Sequence, residues 1–140
     1  MKTLHFSTSI NAPQEKVWNA LWQDANYRKW TAVFHEGSYA ESDWEEGSKI
    51  LFLGPGGDGM FSMIEKKIPN KQMTFKHLGE LKNGVEESKG WENARESYFL
   101  SEKDGGTELK VELDSVGEFE QYFSETFPKA LQLVKEIAEH

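Results

Sequence analysis

The chain has 140 residues and a mass of 16.1 kDa, the size of one domain able to bury a core without staples. It has no cysteine, which excludes disulfides, iron–sulfur clusters, thiolate metal sites and cysteine nucleophiles, and its 16 Lys and Arg against 24 Asp and Glu leave a charge of −8 that repels nucleic-acid phosphates. No apolar run approaches the roughly 18 residues of a membrane span, and the first residues lead into alternation rather than a signal-peptide block, so a cytoplasmic protein with no nucleic-acid or membrane partner is expected.

In chain order, Leu4, Phe6, Thr8 and Ile10 alternate with His5, Ser7 and Ser9, the period of a half-buried strand. Asn11-Ala12-Pro13 ends it, and a helix is expected from Pro13, with Val17, Trp18, Ala20 and Leu21 as its apolar face. A brief second helix is expected around residues 27–30, where Asp24 and Asn26 are both able to cap. Strands are then expected over residues 34–42, 48–53, 60–68, 73–79, 93–103 and 107–116. Asp104-Gly105-Gly106 signals a hairpin before the last of these, and residues 82–90 read as a polar, mobile loop. After Gly117 the period becomes 3.6. Phe119, Phe123, Phe127, Ala130, Leu131, Val134, Ile137 and Ala138 fall within an arc of roughly 120° on a helical wheel. Pro128 lies inside that helix and removes one backbone hydrogen bond near Ser124, where a kink is expected.

This order makes an α+β domain in which one long helix covers the apolar face of a curling antiparallel sheet. Nine Phe, five Trp and four Tyr require an interior built around rings, either as a solid core or around a cavity. Gly54, Gly56 and Gly59 match G-x-G-x-x-G, but a strand rather than a helix follows, so the segment reads as a hairpin connection and not a nucleotide loop. His5, His35, His77 and His140 are too scattered for a metal site. His77 shares the parity of Met73 and Phe75. Glu96 shares that of Ala94, Tyr98 and Leu100, so a two-residue turn at Asp104-Gly105 sets Glu96 inward beside Leu113, with a three-residue turn reversing it. An inward carboxylate needs a partner or a proton.

Residues 10–21, Ile-Asn-Ala-Pro-Gln-Glu-Lys-Val-Trp-Asn-Ala-Leu, resemble the opening signature I-x-A-P-x-E-x-V-W-x-A-L of START-like domains, the SRPBCC superfamily. Lys29-Trp30, Trp44 to Lys49 as W-x-x-G-S-K, Ile68-Pro69, and Trp91, Ala94, Glu96, Tyr98 and Leu100 as W-x-x-A-x-E-x-Y-x-L look like the branch named for the activator of heat-shock-chaperone ATPase. The resemblance covers nearly the whole chain. It implies a helix-grip fold, in which a curved seven-stranded antiparallel sheet holds the C-terminal helix, with two short helices between the first two strands and a pocket between sheet and long helix. It also implies a range of functions, from lipid, sterol or polyketide binding to cyclase chemistry.

The first expectation is a noncatalytic domain with a small apolar or aromatic partner, bound by Trp30, Phe52, Met60, Ile64, Phe75, His77, Trp91, Glu96, Tyr98, Phe123 and Phe127. No cofactor or metal is expected, and the chain is expected to be a monomer or weak dimer. Two alternatives stay open: a chaperone-docking module, suggested by the family's name, and a cyclase-type pocket enzyme using Glu96, His77 and Tyr98 for acid–base work.

Overall fold

The computed structural model describes residues 2–88, 94–115 and 117–140. In chain order these form β1 (Lys2–Ile10), α1 (Gln14–Trp22), α2 (Asp24–Thr31), β2 (Tyr39–Glu41), β3 (Lys49–Leu53), β4 (Gly59–Ile68), β5 (Gln72–Lys82), β6 (Val85–Glu87), β7 (Ala94–Lys103), β8 (Gly106–Ser115), a 3₁₀ turn (Gly117–Phe119) and α3 (Glu120–Glu139). Every strand pairing is antiparallel, and the order across the sheet is β1-β8-β7-β5-β4-β3-β2, with β6 paired to the end of β5. The long helix α3 packs on β1, α1 and α2. Among the described residues no helix is long and apolar enough to cross a membrane.

The β7–β8 hairpin sets the register on which the interior depends. Asp104 and Gly105 hold φ of 51° and 82°, the left-handed pair that a two-residue turn requires. Lys103 therefore pairs with Gly106, Tyr98 with Val111 and Glu96 with Leu113, so Glu96 stands on the same face as Tyr98 and Leu100. β1 continues that face through the pairs Leu4–Leu113 and Phe6–Val111.

Four local features differ from the sequence pattern. The strand expected over 34–42 shrinks to Tyr39–Glu41: the turn after α2 is held by Phe34 and His35 N–H bonds to Thr31 O, and Gly37 at φ 85° reverses the chain. Neither Asp24 nor Asn26 caps α2; Gln23 takes the cap position without a side-chain bond, and Asn26 Nδ2 donates to Asn19 O at 3.1 Å. The polar stretch after Lys82 contains a short strand, since Asn83 and Gly84 at φ 53° and 77° close a second two-residue turn that pairs β6 with β5. β5 itself runs to Lys82 rather than Gly79. Residues 54–58 connect β3 to β4 as a loop, with Gly57 at φ 83°. The expected strand ends at Asn93 and Val116 lie outside the described residues.

Trp22 is the hub of the core. Its ring meets those of Trp18, Tyr27, Trp30, Trp44, Phe75 and Tyr98, with centroids from 4.9 to 6.3 Å away and mostly edge-on. Trp44 reaches this cluster from a backbone at φ 61°, a strained conformation for an aromatic residue. Ser42 Oγ accepts the Trp44 N–H at 3.0 Å and Asp43 Oδ1 accepts the Glu45 N–H at 2.9 Å, which hold that turn in place.

Candidate functional site

The rings do not fill the interior. A cavity of about 820 Å³ lies between the concave face of the sheet, α2 and the first half of α3. Trp30, Phe52, Met60, His77, Glu96, Tyr98, Phe123 and Phe127 all line it. Ile64 and Phe75 do not: both are fully buried farther along the same face, where Phe75 packs against Trp22 at 5.4 Å. Trp91 lies outside the described residues.

Several lining groups escape the sequence pattern. Tyr27 stands one turn before Trp30 on α2, and Tyr122 one turn before the buried Thr126 on α3. Phe34, taken from the sequence as a strand residue, packs instead against Phe127 at 4.9 Å, and its carbonyl accepts the Tyr122 hydroxyl at 2.8 Å. This contact joins α3 to the turn after α2 at one side of the cavity. The glycine-rich loop after β3 contributes Gly54, Pro55 and Gly56 to another part of the wall.

Glu80 arrives by a register shift. Along β4 and β5, Met60 pairs with Glu80 and Phe61 with Gly79, but Ser62 pairs with His77, leaving Leu78 as an extra residue. This bulge inverts the parity of β5 and turns Glu80 toward the cavity, although strict alternation from Met73, Phe75 and His77 places it outside.

The polar part of the wall is a hydrogen-bonded chain through three strands. Ser62 Oγ on β4 lies 2.7 Å from His77 Nδ1 on β5, and His77 Nε2 lies 3.1 Å from Glu96 Oε1 on β7. Tyr98 donates its hydroxyl to Glu96 Oε2. A carboxylate only accepts, so the proton on Nε2 points to Glu96, and in the neutral ring Nδ1 accepts the Ser62 hydroxyl. Ser62 is fully buried behind the cavity wall, which makes it a group that orients His77 rather than one that meets a ligand. Its parity with Met60 and Ile64 was the available signal for its inward position.

Burial, and secondarily the negative charge of Glu96, pushes the Tyr98 and Tyr27 phenols well above the ordinary tyrosine range. Both stay protonated and remain donors at any physiological pH. The Glu96 side chain is 18% exposed, so part of the carboxylate is open to the cavity while both oxygens are already bonded. Chemically the wall offers an oriented carboxylate, backed by an imidazole and a phenol, within an aromatic enclosure. Among the described residues no group of three or more His, Asp and Glu is placed to hold a metal ion.

The family whose sequence model is described as "Activator of Hsp90 ATPase homolog 1-like protein" matches residues 11–139. The chain belongs to that family. No curated protein matches. Among solved structures, the Aha1 dimer of Colwellia psychrerythraea superposes with a TM-score of 0.77 at 23% identity, covering 99% of this chain and 97% of that one. Protein MLL2253 of Mesorhizobium loti gives 0.76 at 15% identity, with 97% and 96% covered. CalU16 of Micromonospora echinospora gives 0.67 at 18% identity, with 97% and 75% covered. At these identities the likeness shows the fold, which is the expected helix-grip arrangement.

Proposed function

We propose that the domain binds a small apolar or aromatic molecule in the cavity between the sheet and α3. The observation that carries this reading is a partly open cavity of about 820 Å³ whose surface is mainly apolar, lined by rings and aliphatic side chains, with the His77–Glu96–Tyr98 group on the sheet and further polar residues around it. A space of that size suits a molecule of two to four fused rings or an acyl chain. Chemical-shift perturbation with fatty acids, sterols and flavonoid-like rings tests it: shifts concentrated on residues of the concave face support binding, and shifts confined to the outer face, or no binder, refute it.

A second reading has its own observation in the Ser62–His77–Glu96–Tyr98 chain, which presents an oriented proton acceptor to the cavity. In this reading Glu96 takes a proton from an enclosed substrate, His77 and Tyr98 stabilise the carboxylate that does so, and Ser62 fixes the imidazole. Hydrogen–deuterium exchange at an acidic C–H of a bound polycarbonyl compound tests it. Exchange by the wild type that is lost in Glu96→Gln supports it, and wild-type exchange at the buffer rate refutes it. The chaperone reading is carried by the family name, and by the Aha1 neighbour, rather than by a feature of this surface. An unchanged chaperone ATPase rate at saturating domain removes it.

A further inference from the structure

The charge on the cavity wall narrows the ligand class, given that the cavity is a binding site as proposed above. One Glu96 oxygen is held by the His77 ring and the other by the Tyr98 hydroxyl, while a carboxylate accepts about four bonds. Acceptor capacity therefore remains on the side open to the cavity. Neutral bonds compensate only part of the cost of removing a carboxylate from water, and a cation compensates far more.

Among the described residues no lysine or arginine is placed against Glu96, whose nitrogen partner is the His77 ring. Lys82 is, among the described residues, the one lysine or arginine that lines the cavity, and it is an exposed residue at the end of β5. The other charged lining groups are acidic. Glu80 is turned to the concave face by the bulge at Leu78. Asp58 is exposed, like Lys82, and accepts the Asn83 N–H, and the Asp114 carboxylate bonds Thr3 Oγ1 and the Arg95 N–H on the opposite face of the sheet, so the inward acidic charge is that of Glu96 and Glu80. Tyr27, Trp30 and Phe52 border the same space, and aromatic rings attract a cation where they turn a face to it.

We propose that the cavity selects a molecule with an aromatic or apolar body and one organic cationic group, such as a protonated amine, which sits against Glu96 and within the field of Glu80. An acyl carboxylate or other anion of the same body meets like charge at the same wall and is disfavoured. The occupant is then an amine-bearing aromatic or lipid-like compound rather than a free fatty acid.

The test is titration calorimetry on the full chain at pH 8, with three probes that share one body: 2-naphthylmethylamine, 2-naphthylmethanol and 2-naphthoate. The amine is expected to bind at least about tenfold tighter than the alcohol, with the naphthoate weakest. Salt at about 0.5 M should shrink the amine's advantage and leave the alcohol's affinity nearly unchanged. Glu96→Gln should bring the amine to within about threefold of the alcohol. Wild-type binding of alcohol and naphthoate with no preference for the amine overturns the charge assignment and leaves the binding reading standing. Binding of none of the three overturns both. The wild-type ranking and its salt dependence decide the matter even if Glu96→Gln does not fold.

Discussion

Replacing Phe127 by alanine distinguishes a cavity wall from a solid core without knowledge of the ligand. The side chain is 3% exposed, stacks on Phe6 at 4.9 Å and 16°, meets Phe34 at 4.9 Å, and also lines the cavity. Loss of the ring forfeits about 2 kcal/mol of transfer free energy and about 1 kcal/mol of ring stacking. In a filled core the void, on the order of 100 Å³, adds about 2.4 kcal/mol at 24 cal/mol per Å³, for a total of about 5 kcal/mol. Here the space left behind merges with an existing cavity, so that last contribution largely vanishes and the expected loss is about 3 kcal/mol. Urea unfolding followed by tryptophan fluorescence measures it, with Leu131→Ala, also 3% exposed and absent from the cavity lining, as the core reference. Phe127→Ala should cost no more than Leu131→Ala although it removes the larger group. A loss near 5 kcal/mol, well beyond the leucine reference, refutes the argument.

Ser62→Ala removes the partner of His77 Nδ1 inside a closed wall and should cost about 1–3 kcal/mol in the same assay; a change below about 0.5 kcal/mol counts against the hydrogen-bonded chain. Two buried phenols make the fold sensitive to alkali. Their folded pKa values lie above the unfolded ones, so the stabilisation is complete below about pH 10 and lost above it. The unfolded chain gives up two protons that the native one keeps, and stability should fall by about 2.7 kcal/mol per pH unit there. Spectrophotometric titration should show Tyr27 and Tyr98 still protonated near pH 11 in the folded protein, and full ionisation without unfolding contradicts their burial. Gly79→Ala places a Cβ on Glu87 O and 2.8 Å from Phe61 Cε1, so it should detach β6. Hydrogen exchange should then report faster amides at 85–87, and an unchanged exchange pattern refutes the packing.

How much of this was legible in the sequence depends on which physical signal each element carries. β1, β7, β8 and α3 show clean periods of 2 or 3.6, and the Asp104-Gly105 turn fixes the register that sets Glu96 inward. The second hairpin carried an equally strong signal in Asn83-Gly84, but the polar residues around it masked a strand that is paired yet exposed on both faces. Glu80 was out of reach because a bulge inverts parity at Leu78, and periodicity has no term for an inserted residue. Phe34 misled for a different reason. Its apolar, aromatic neighbourhood has strand propensity, while tertiary contacts with Phe127 and Tyr122 hold it in a turn. Nothing in a one-dimensional pattern separates rings that fill a core from rings that surround a space, so the cavity required the fold itself.

Methionine methyl groups test the central claim most directly, because Met60 lines the cavity, Met73 is buried in the core and Met63 has the opposite parity on β4. With the ε-methyls labelled with carbon-13 and 2-naphthylmethanol added, intermolecular NOEs should run from the naphthalene protons to the Met60 methyl and not to Met63. NOEs to Met63 with none to Met60, or saturating probe that contacts neither, contradict a ligand site between the sheet and α3.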